Sequence, residues 1–154
     1  MESFDRNITC CVSGHRVVKK DLDIKKLERV LNKSVDFGYK YFLVGMALGF
    51  DTICFQILEK IRKEKDIKIV ACIPCLTQDY KFNFEEKKEY KRMLDSADIK
   101  IILSETYNPW CMQKRNRFMV DNSSRLISYL RDAYGGTFNT VKYAQEQGID
   151  IESI

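Results

Sequence analysis

The sequence predicts an α/β sandwich of three layers, built around a mainly parallel sheet of five to six strands. Short apolar segments alternate along the chain with longer segments of helical periodicity, as in chains that form strands and helices in turn. The short segments are apolar throughout rather than at every second residue, which is typical of strands covered on both faces. Glycines follow several of them, where the chain must turn from a strand into a helix.

The first elements show this alternation most clearly. Ile8–Ser13 is predicted as a strand because its β-prone apolar residues end at a polar loop. Asp21–Phe37 is predicted as a helix because its apolar residues recur at three- and four-residue spacing, and Gly38 marks its end. Tyr39–Val44 is predicted as the second strand, and a second helical stripe begins at Phe50.

The rest of the chain repeats the pattern to its end. The strands and helices alternate without a proline- or glycine-rich linker or an internal repeat, so we expect one doubly wound domain over residues 1–154. The remaining predicted elements are a strand at Ile67–Ile73, a helix at Phe84–Ala97, a strand at Ile99–Leu103, a helix at Met112–Asp121, a strand at Arg125–Leu130, a helix at Thr137–Gln147 and a short strand at Ile149–Ile151.

Composition excludes several classes of protein. With 45% apolar and 31% charged residues, the chain resembles an average globular domain rather than a disordered one. Its longest charge-free runs, Tyr41–Phe50 and Ile69–Gln78, are half of the roughly 20 residues that a membrane-spanning helix needs. The amino terminus is charged where a signal peptide would be apolar. We therefore expect a cytoplasmic protein that does not associate with membranes.

Charge and cysteine content say less about partners. The net charge of +4 arises from basic and acidic residues that interleave at helical spacing, so it supports a nucleic-acid partner only weakly. Cys72 and Cys75 have the spacing of a redox motif, but Cys72 lies within a predicted strand. Cys10 and Cys11 are adjacent and would face opposite sides of a strand. We expect buried, reduced thiols, no metal site and no cofactor.

Three loops could bind a ligand at the carboxyl ends of the strands, where doubly wound sheets bind theirs. In the first, Gly14–Arg16, His15 is either a ligand contact or a polar loop residue. In the second, Gly45–Asp51, the aspartate either caps the following helix or meets a ligand hydroxyl. In the third, Gly135–Thr137, the glycines form a plain turn or an anion site at a helix N-terminus. None matches the phosphate loop of P-loop proteins or the dinucleotide fingerprint.

The order of these loops resembles the YpsA-like family of the SLOG superfamily. The resemblance covers about residues 8–151, and its most specific part is the run QKRNRFMVDNS followed by GGTFNT. The motifs that carry it are Gly14-His15-Arg16, Gly45-x-Ala47-x-Gly49-x-Asp51, Pro74 with Gln78, Tyr107, Gln113-Lys114-Arg115-Asn116, Met119-Val120-Asp121-x-Ser123, Gly135-Gly136-Thr137-x-x-Thr140 and Tyr143-Ala144.

The resemblance implies a Rossmann-like fold that binds a nucleotide or a nucleotide-derived ligand, and a homodimer is compatible with it. The superfamily includes DNA-processing protein A and the LONELY GUY phosphoribohydrolases. In the latter, the motif P-G-G-x-G-T-x-x-E supplies a catalytic glutamate, whereas this chain has Thr140 at the matching position. Arg115 matches a substrate-binding arginine of those enzymes. Whether the chain is an enzyme is therefore open, and a nucleotide N-glycosidase and a single-stranded DNA-binding module are the alternatives.

The loops and the resemblance together give a predicted site. Of Arg115 and Arg117, which lie on different faces of a helix, Arg115 is expected to point inward. Asp121 would bind ligand or pair with a neighbouring arginine. Aromatic residues at 80, 82, 84 and 110 would form a lid or an edge of the core. The predicted ligand-binding residues are Gly14, His15, Arg16, Gly45, Gly49, Asp51, Pro74, Gln78, Arg115, Asn116, Asp121, Ser123, Gly135, Gly136, Thr137 and Thr140.

Overall fold

Strands and helices alternate throughout the computed structural model, which describes residues 3–154. The strands are β1 (Thr9–Gly14), β2 (Tyr41–Val44), β3 (Lys68–Ile73), β4 (Ile99–Ile102), β5 (Arg125–Tyr129) and β6 (Asp150–Ser153). The α-helices are α1 (Ile24–Phe37), α2 (Phe50–Arg62), α3 (Phe84–Ser96), α4 (Cys111–Asp121) and α5 (Gly136–Gln147), and a short 3-10 helix at Arg6–Ile8 precedes β1.

The strands form one sheet of six, in the order β4-β3-β2-β1-β5-β6, and all neighbouring pairs are parallel. This confirms the predicted three-layer α/β sandwich. The chain adds β2, β3 and β4 on one side of β1 and then crosses back to add β5 and β6 on the other. The direction of winding therefore reverses between β1 and β5, and ligands of such sheets bind beyond the carboxyl ends of the strands at this point.

Two apolar clusters cover the two faces of the sheet. One joins the sheet to α1, α2 and α3, and the other joins it to α4 and α5. Successive strand residues divide between the clusters, so Cys10 lies in the first and Cys11 in the second. Burial on both faces explains why these strands are apolar at consecutive positions rather than alternately.

The helices begin in two different ways. The side chain of Asp23 caps α1 by accepting a hydrogen bond from the Lys26 backbone N–H at 3.0 Å, so this helix starts at Ile24 rather than at the predicted Asp21. Asn83 and Glu86 form a capping box at the start of α3. By contrast, α2 and α5 follow Gly49 and Gly135, and no side chain caps either helix.

All six cysteine side chains are buried and unbridged. Burial raises the pKa of the Cys11 thiol to about 12, and it also holds the pKa of the Cys72 thiol well above its usual value. Within residues 3–154, no cluster of three or more histidine, cysteine or acidic side chains is arranged to hold a metal ion. The same part of the chain contains no helix that is long and apolar enough to cross a membrane.

Candidate functional site

A cavity of about 500 Å³ opens at the carboxyl edge of the sheet, beside the reversal between β1 and β5. The loops after β1, β2 and β5 form most of its wall, and α4 closes one side. We call this cavity the central pocket. The predicted residues that line it are Gly14, His15, Arg16, Asp51, Gln78, Arg115, Asn116, Gly135, Gly136 and Thr137.

Two of the glycine loops interlock at one wall of the central pocket. The Phe50 backbone N–H donates to the His15 carbonyl at 3.2 Å, which joins the loop after β1 to the start of α2. A Cβ on Gly49 would lie 2.1 Å from the Arg16 carbonyl oxygen, and one on Gly14 would lie 2.4 Å from the Phe50 ring. Neither position has space for a side chain, so these glycines allow the loops to pack together.

His15 joins this wall to the loop that follows β5. Its Nε2 accepts hydrogen bonds from the backbone N–H groups of Arg131 at 2.7 Å and Asp132 at 3.3 Å. Backbone N–H groups only donate, so Nε2 is the acceptor in both hydrogen bonds. The edge of the ring also packs against Tyr129. His15 therefore bridges two loops and also lines the pocket.

Arg115 is buried, lines the central pocket and bonds to the Gly45 backbone. Its guanidinium donates to the Gly45 carbonyl through Nη1 and to Asn116 Oδ1 through Nε at 2.7 Å. A Cβ on Gly45 would lie 2.8 Å from Nη1, so glycine is needed here for the guanidinium to approach the backbone. Gln78 donates to the same carbonyl at 3.0 Å, and Tyr90 in turn donates to Gln78. This network holds the second glycine loop in place.

Asp51 lies in the first turn of α2, and its residue is only 5% exposed. One carboxylate oxygen, Oδ2, accepts a hydrogen bond from the Ala47 backbone N–H at 3.1 Å. The other, Oδ1, is buried and has no hydrogen-bond partner within the described chain. Burial raises the pKa of Asp51 to about 6, although the charge of Arg115 and the Ala47 hydrogen bond both oppose this shift. A buried carboxylate oxygen without a donor is uncommon in folded proteins.

The third glycine loop also lines the pocket, but its two glycines do not pack closely against other parts of the protein. Gly135 has a φ of 94°, and no atom lies within 4 Å of a Cβ built at Gly135 or Gly136. The backbone at the start of α5 is thus accessible, and no side chain caps the helix. The first-turn N–H groups and the helix dipole favour an anion at such an end.

The arrangement can bind a ligand that carries both an anion and hydroxyl groups. Arg16, Arg115 and the start of α5 offer positive charge and backbone donors, whereas Asp51 and Asp132 offer carboxylate acceptors. Among the described residues, the hydrogen bond that Arg115 Nη2 makes is to the Met112 sulfur, at 3.8 Å. Phosphate groups suit the first set of groups, and sugar hydroxyls suit the second.

Six predicted residues do not line the central pocket. Gly45 and Gly49 support its wall, and Pro74 is buried just after β3. The hydroxyl of Thr140 donates to the Gly136 carbonyl at 2.8 Å, and Thr140 lines a neighbouring cavity between α4 and α5. Asp121 and Ser123 lie at the opposite edge of the sheet, where α4 ends and the chain approaches β5.

Of these two remote residues, Asp121 has a hydrogen-bond partner, whereas the buried Ser123 hydroxyl has none within the described chain. Asp121 accepts a 2.6 Å hydrogen bond from the Tyr143 hydroxyl rather than pairing with an arginine. Arg117 is exposed and lies over the Tyr143 ring at 4.7 Å, whereas Arg115 points inward as predicted. Helix α4 runs opposite to the strands that flank it, so its start faces the pocket and its end faces away.

Sequence reasoning missed several residues that line the pocket. Met112 and Met119 lie on the same face of α4 as Arg115, at spacings of three and four residues, so helical periodicity could have identified them. Asp132 and Tyr134 come between β5 and Gly135, in a loop already predicted to meet the ligand. Their position directly after a strand was the available signal.

Comparison with known families decides the identity of this chain. The YpsA family model, described as the YspA SLOG family, matches residues 12–151. The chain belongs to this family. A family relative, the uncharacterised SPbeta prophage-derived protein YoqJ of Bacillus subtilis, is 33% identical over 137 residues, and the match covers 79% of each chain. The family membership predicted from the loop motifs is thus confirmed.

The fold of this YpsA-family chain is also found in two larger proteins of known structure. DNA processing protein A of Streptococcus pneumoniae matches with a TM-score of 0.70 and 20% identity, over 97% of this chain and 50% of that one. DNA processing protein A of Helicobacter pylori, whose structure reports a single-stranded DNA binding mode, matches with a TM-score of 0.65 and 19% identity. That match covers 95% of this chain and 64% of the other, so the chain spans half to two thirds of these proteins.

Proposed function

We propose that this protein binds a nucleotide or a nucleotide-derived small molecule in the central pocket. The observation that carries the proposal is the buried Oδ1 of Asp51, which has no donor in the described chain and belongs to a residue that lines the pocket. A ligand hydroxyl that reached this oxygen would supply the missing hydrogen bond. A ribose hydroxyl is such a donor.

The opposite side of the same pocket suits the phosphate of that ligand. Gly135 and Gly136 expose backbone N–H groups at the start of α5, with open space where their side chains would be. Arg16 is exposed beside them and can bind phosphate oxygens through two nitrogens. In the proposed complex, the phosphate lies at α5 and Arg16, while the sugar lies towards Asp51, Arg115 and Asn116.

Ligand-observed NMR tests the proposal with the purified protein and a mixture of nucleoside monophosphates, nicotinamide nucleotides and cyclic nucleotides. The decisive variant is Gly136→Asp, which places a negative charge where the phosphate would lie. We expect it to fold, because the position has open space, and to lose at least about tenfold in affinity, since like charges repel. Binding by Gly136→Asp that equals binding by the unaltered protein would overturn the phosphate assignment.

The matched control is Gly136→Asn, which adds a side chain of the same size without the charge. A smaller loss of affinity in Gly136→Asn than in Gly136→Asp assigns the effect to charge rather than to bulk. The same samples, followed over hours, also test for an enzyme. Release of free base would show N-glycosidic cleavage, and Asp51 would then be the carboxylate to replace first, because it lines the pocket and Thr140 carries no acid.

A second candidate function is the binding of single-stranded nucleic acid. It is favoured by four exposed aromatic residues in the loops at the edge that holds the pocket, since bases stack on such rings. These residues are Tyr80, Tyr107, Trp110 and Tyr134.

Titration of a fluorescent oligodeoxynucleotide at several salt concentrations tests this candidate. Binding that weakens steeply as salt increases would support it, because phosphate contacts release counterions. No detectable binding at low salt would exclude it and leave the small-molecule proposal intact.

A further inference from the structure

A second cavity of about 600 Å³ continues from the central pocket towards the loops after β3 and β4. Arg16, Leu48, Gln78, Phe82 and Met112 line both cavities, so the two form one continuous depression. We call the second cavity the aromatic cleft. It contains none of the glycines of the predicted site.

The walls of the aromatic cleft differ in chemistry from those of the central pocket. Tyr80 is 76% exposed and Tyr107 is 66% exposed, so both rings are accessible to a ligand. Phe82 is partly buried, and its ring meets the Tyr90 ring edge-on at 5.5 Å, which holds it at the junction of the two cavities. Arg16 and Lys81 add positive charge to the lining, but the aromatic faces and the apolar side chains of Leu48 and Met112 suit a flat aromatic group.

Backbone hydrogen bonds hold the two sides of the cleft together. The Leu76 N–H donates to the Glu105 carbonyl at 3.4 Å, which joins the loop after β3 to the loop after β4. Successive turns then bring Tyr80 and Phe82 to the cleft, because the N–H of each donates to a carbonyl three residues before it. The side chain of Gln78 bonds to Gly45 and Tyr90 and so fixes the boundary between the two cavities.

We infer that the aromatic cleft is the subsite for the nucleobase of the ligand, with Tyr80 and Tyr107 as its stacking residues. The inference rests on the proposed function, which places the phosphate and the sugar in the central pocket but assigns no residue to stack on the base. A nucleotide has a flat aromatic base, whose faces can stack, on one side of its sugar and a charged phosphate on the other. The two cavities match this division, and Arg16 lies on the wall shared between them.

The test compares three probes: adenosine 5′-monophosphate, guanosine 5′-monophosphate and ribose 5-phosphate, which has the sugar and phosphate but no base. The dissociation constant of each is measured by NMR titration for the unaltered protein and for the double variant Tyr80→Ala/Tyr107→Ala. We expect the variant to bind the nucleotides about tenfold more weakly or worse, because stacking is lost. Its affinity for ribose 5-phosphate should not change.

Two further variants separate stacking from effects on folding. The double variant Tyr80→Phe/Tyr107→Phe keeps both rings and should bind the nucleotides nearly as well as the unaltered protein. Phe84→Ala removes an aromatic ring that is 77% exposed and lines neither cavity, so it should not change the affinity for any of the three probes.

The possible results distinguish this inference from the function on which it rests. Equal weakening of all three probes in the alanine double variant would overturn the base subsite, since the loss would then not depend on the base. Unchanged nucleotide affinity in that variant would also overturn it, while sensitivity to Gly136→Asp would keep the central pocket as the phosphate site. Failure of the unaltered protein to bind any of these probes or any nucleotide of the mixture described above would overturn both proposals.

Discussion

The three glycine loops at the carboxyl edge look alike in sequence but differ in structure. In the first two, a Cβ on Gly14, Gly45 or Gly49 would lie within 3 Å of a neighbouring loop or of Arg115. In the third, a Cβ on Gly135 or Gly136 would meet no atom within 4 Å. The first two loops therefore use glycine to pack against the protein, whereas the third leaves its backbone accessible.

This difference separates residues that build the pocket from residues available to a ligand. Gly49 brings the loops after β1 and β2 together, and Gly45 allows Arg115 to reach the backbone. Gly136 makes no such contact. Substitution of the glycines in the first two loops should therefore reduce stability, whereas substitutions at the start of α5 should change binding with little effect on folding.

The largest expected effect is that of Gly49→Ala. Gly49 has a φ of 80°, and its new methyl group would lie 2.1 Å from the Arg16 carbonyl oxygen. We expect a loss of about 2 to 5 kcal/mol in the free energy of unfolding, from backbone strain and steric overlap together. Urea denaturation followed by circular dichroism measures it.

Gly38→Ala provides the reference for backbone strain alone. Gly38 has a φ of 125° but no atom within 4 Å of a built Cβ. Gly38→Ala should therefore lower the free energy of unfolding by about 1 to 2 kcal/mol. If Gly49→Ala were no more destabilising than Gly38→Ala, the close packing of the first two loops would not contribute to stability.

An intermediate effect on stability is expected at Asp51, which is buried and has one carboxylate oxygen without a hydrogen-bond partner in the described chain. Burial raises the pKa of Asp51 to about 6, whereas an aspartate in the unfolded chain titrates near about 3.9. The folded protein therefore holds this proton more tightly, so its contribution to stability is complete below about pH 4 and is lost as the pH rises to about 6. A shift of about two pKa units corresponds to roughly 3 kcal/mol.

Asp51→Asn removes this titration and can keep the hydrogen bond from Ala47. The free energy of unfolding of the variant minus that of the unaltered protein should therefore increase by roughly 2 to 3 kcal/mol as the pH rises from about 4 to about 7. Denaturation of both proteins at the two pH values gives this difference, and the contributions of all other carboxylates cancel. Parallel stability curves for the two proteins would show that Asp51 titrates normally.

The smallest effect on stability is expected from Gly136→Ala. Gly136 is the first residue of α5, has no positive φ and has open space at the Cβ position. Alanine also restricts the unfolded chain, so the variant should be about 0.5 kcal/mol more stable than the unaltered protein. A loss of more than about 1 kcal/mol on denaturation would mean that the third loop, like the other two, needs its glycine for packing.

The sequence predicted the fold to within a few residues at most element ends. The first helix was predicted too long, because a cap such as Asp23 lies outside the helix although it continues the polar pattern. Most of the candidate site was also predicted, since each loop follows a strand and parallel strands end at one edge. Asp121 and Ser123 were grouped with the site because they share a motif with Arg115, although α4 carries them to the opposite edge.

The sequence by itself determined the order of strands and helices along the chain, the mainly parallel sheet and the family of this chain. These properties depend on residues that are close together along the chain, where apolar spacing and loop motifs can be read directly. Only the tertiary structure decided which glycines are packed, that Oδ1 of Asp51 is buried without a donor, and that an aromatic cleft adjoins the pocket. Each depends on distances between loops that are far apart in sequence, and local patterns do not encode those distances.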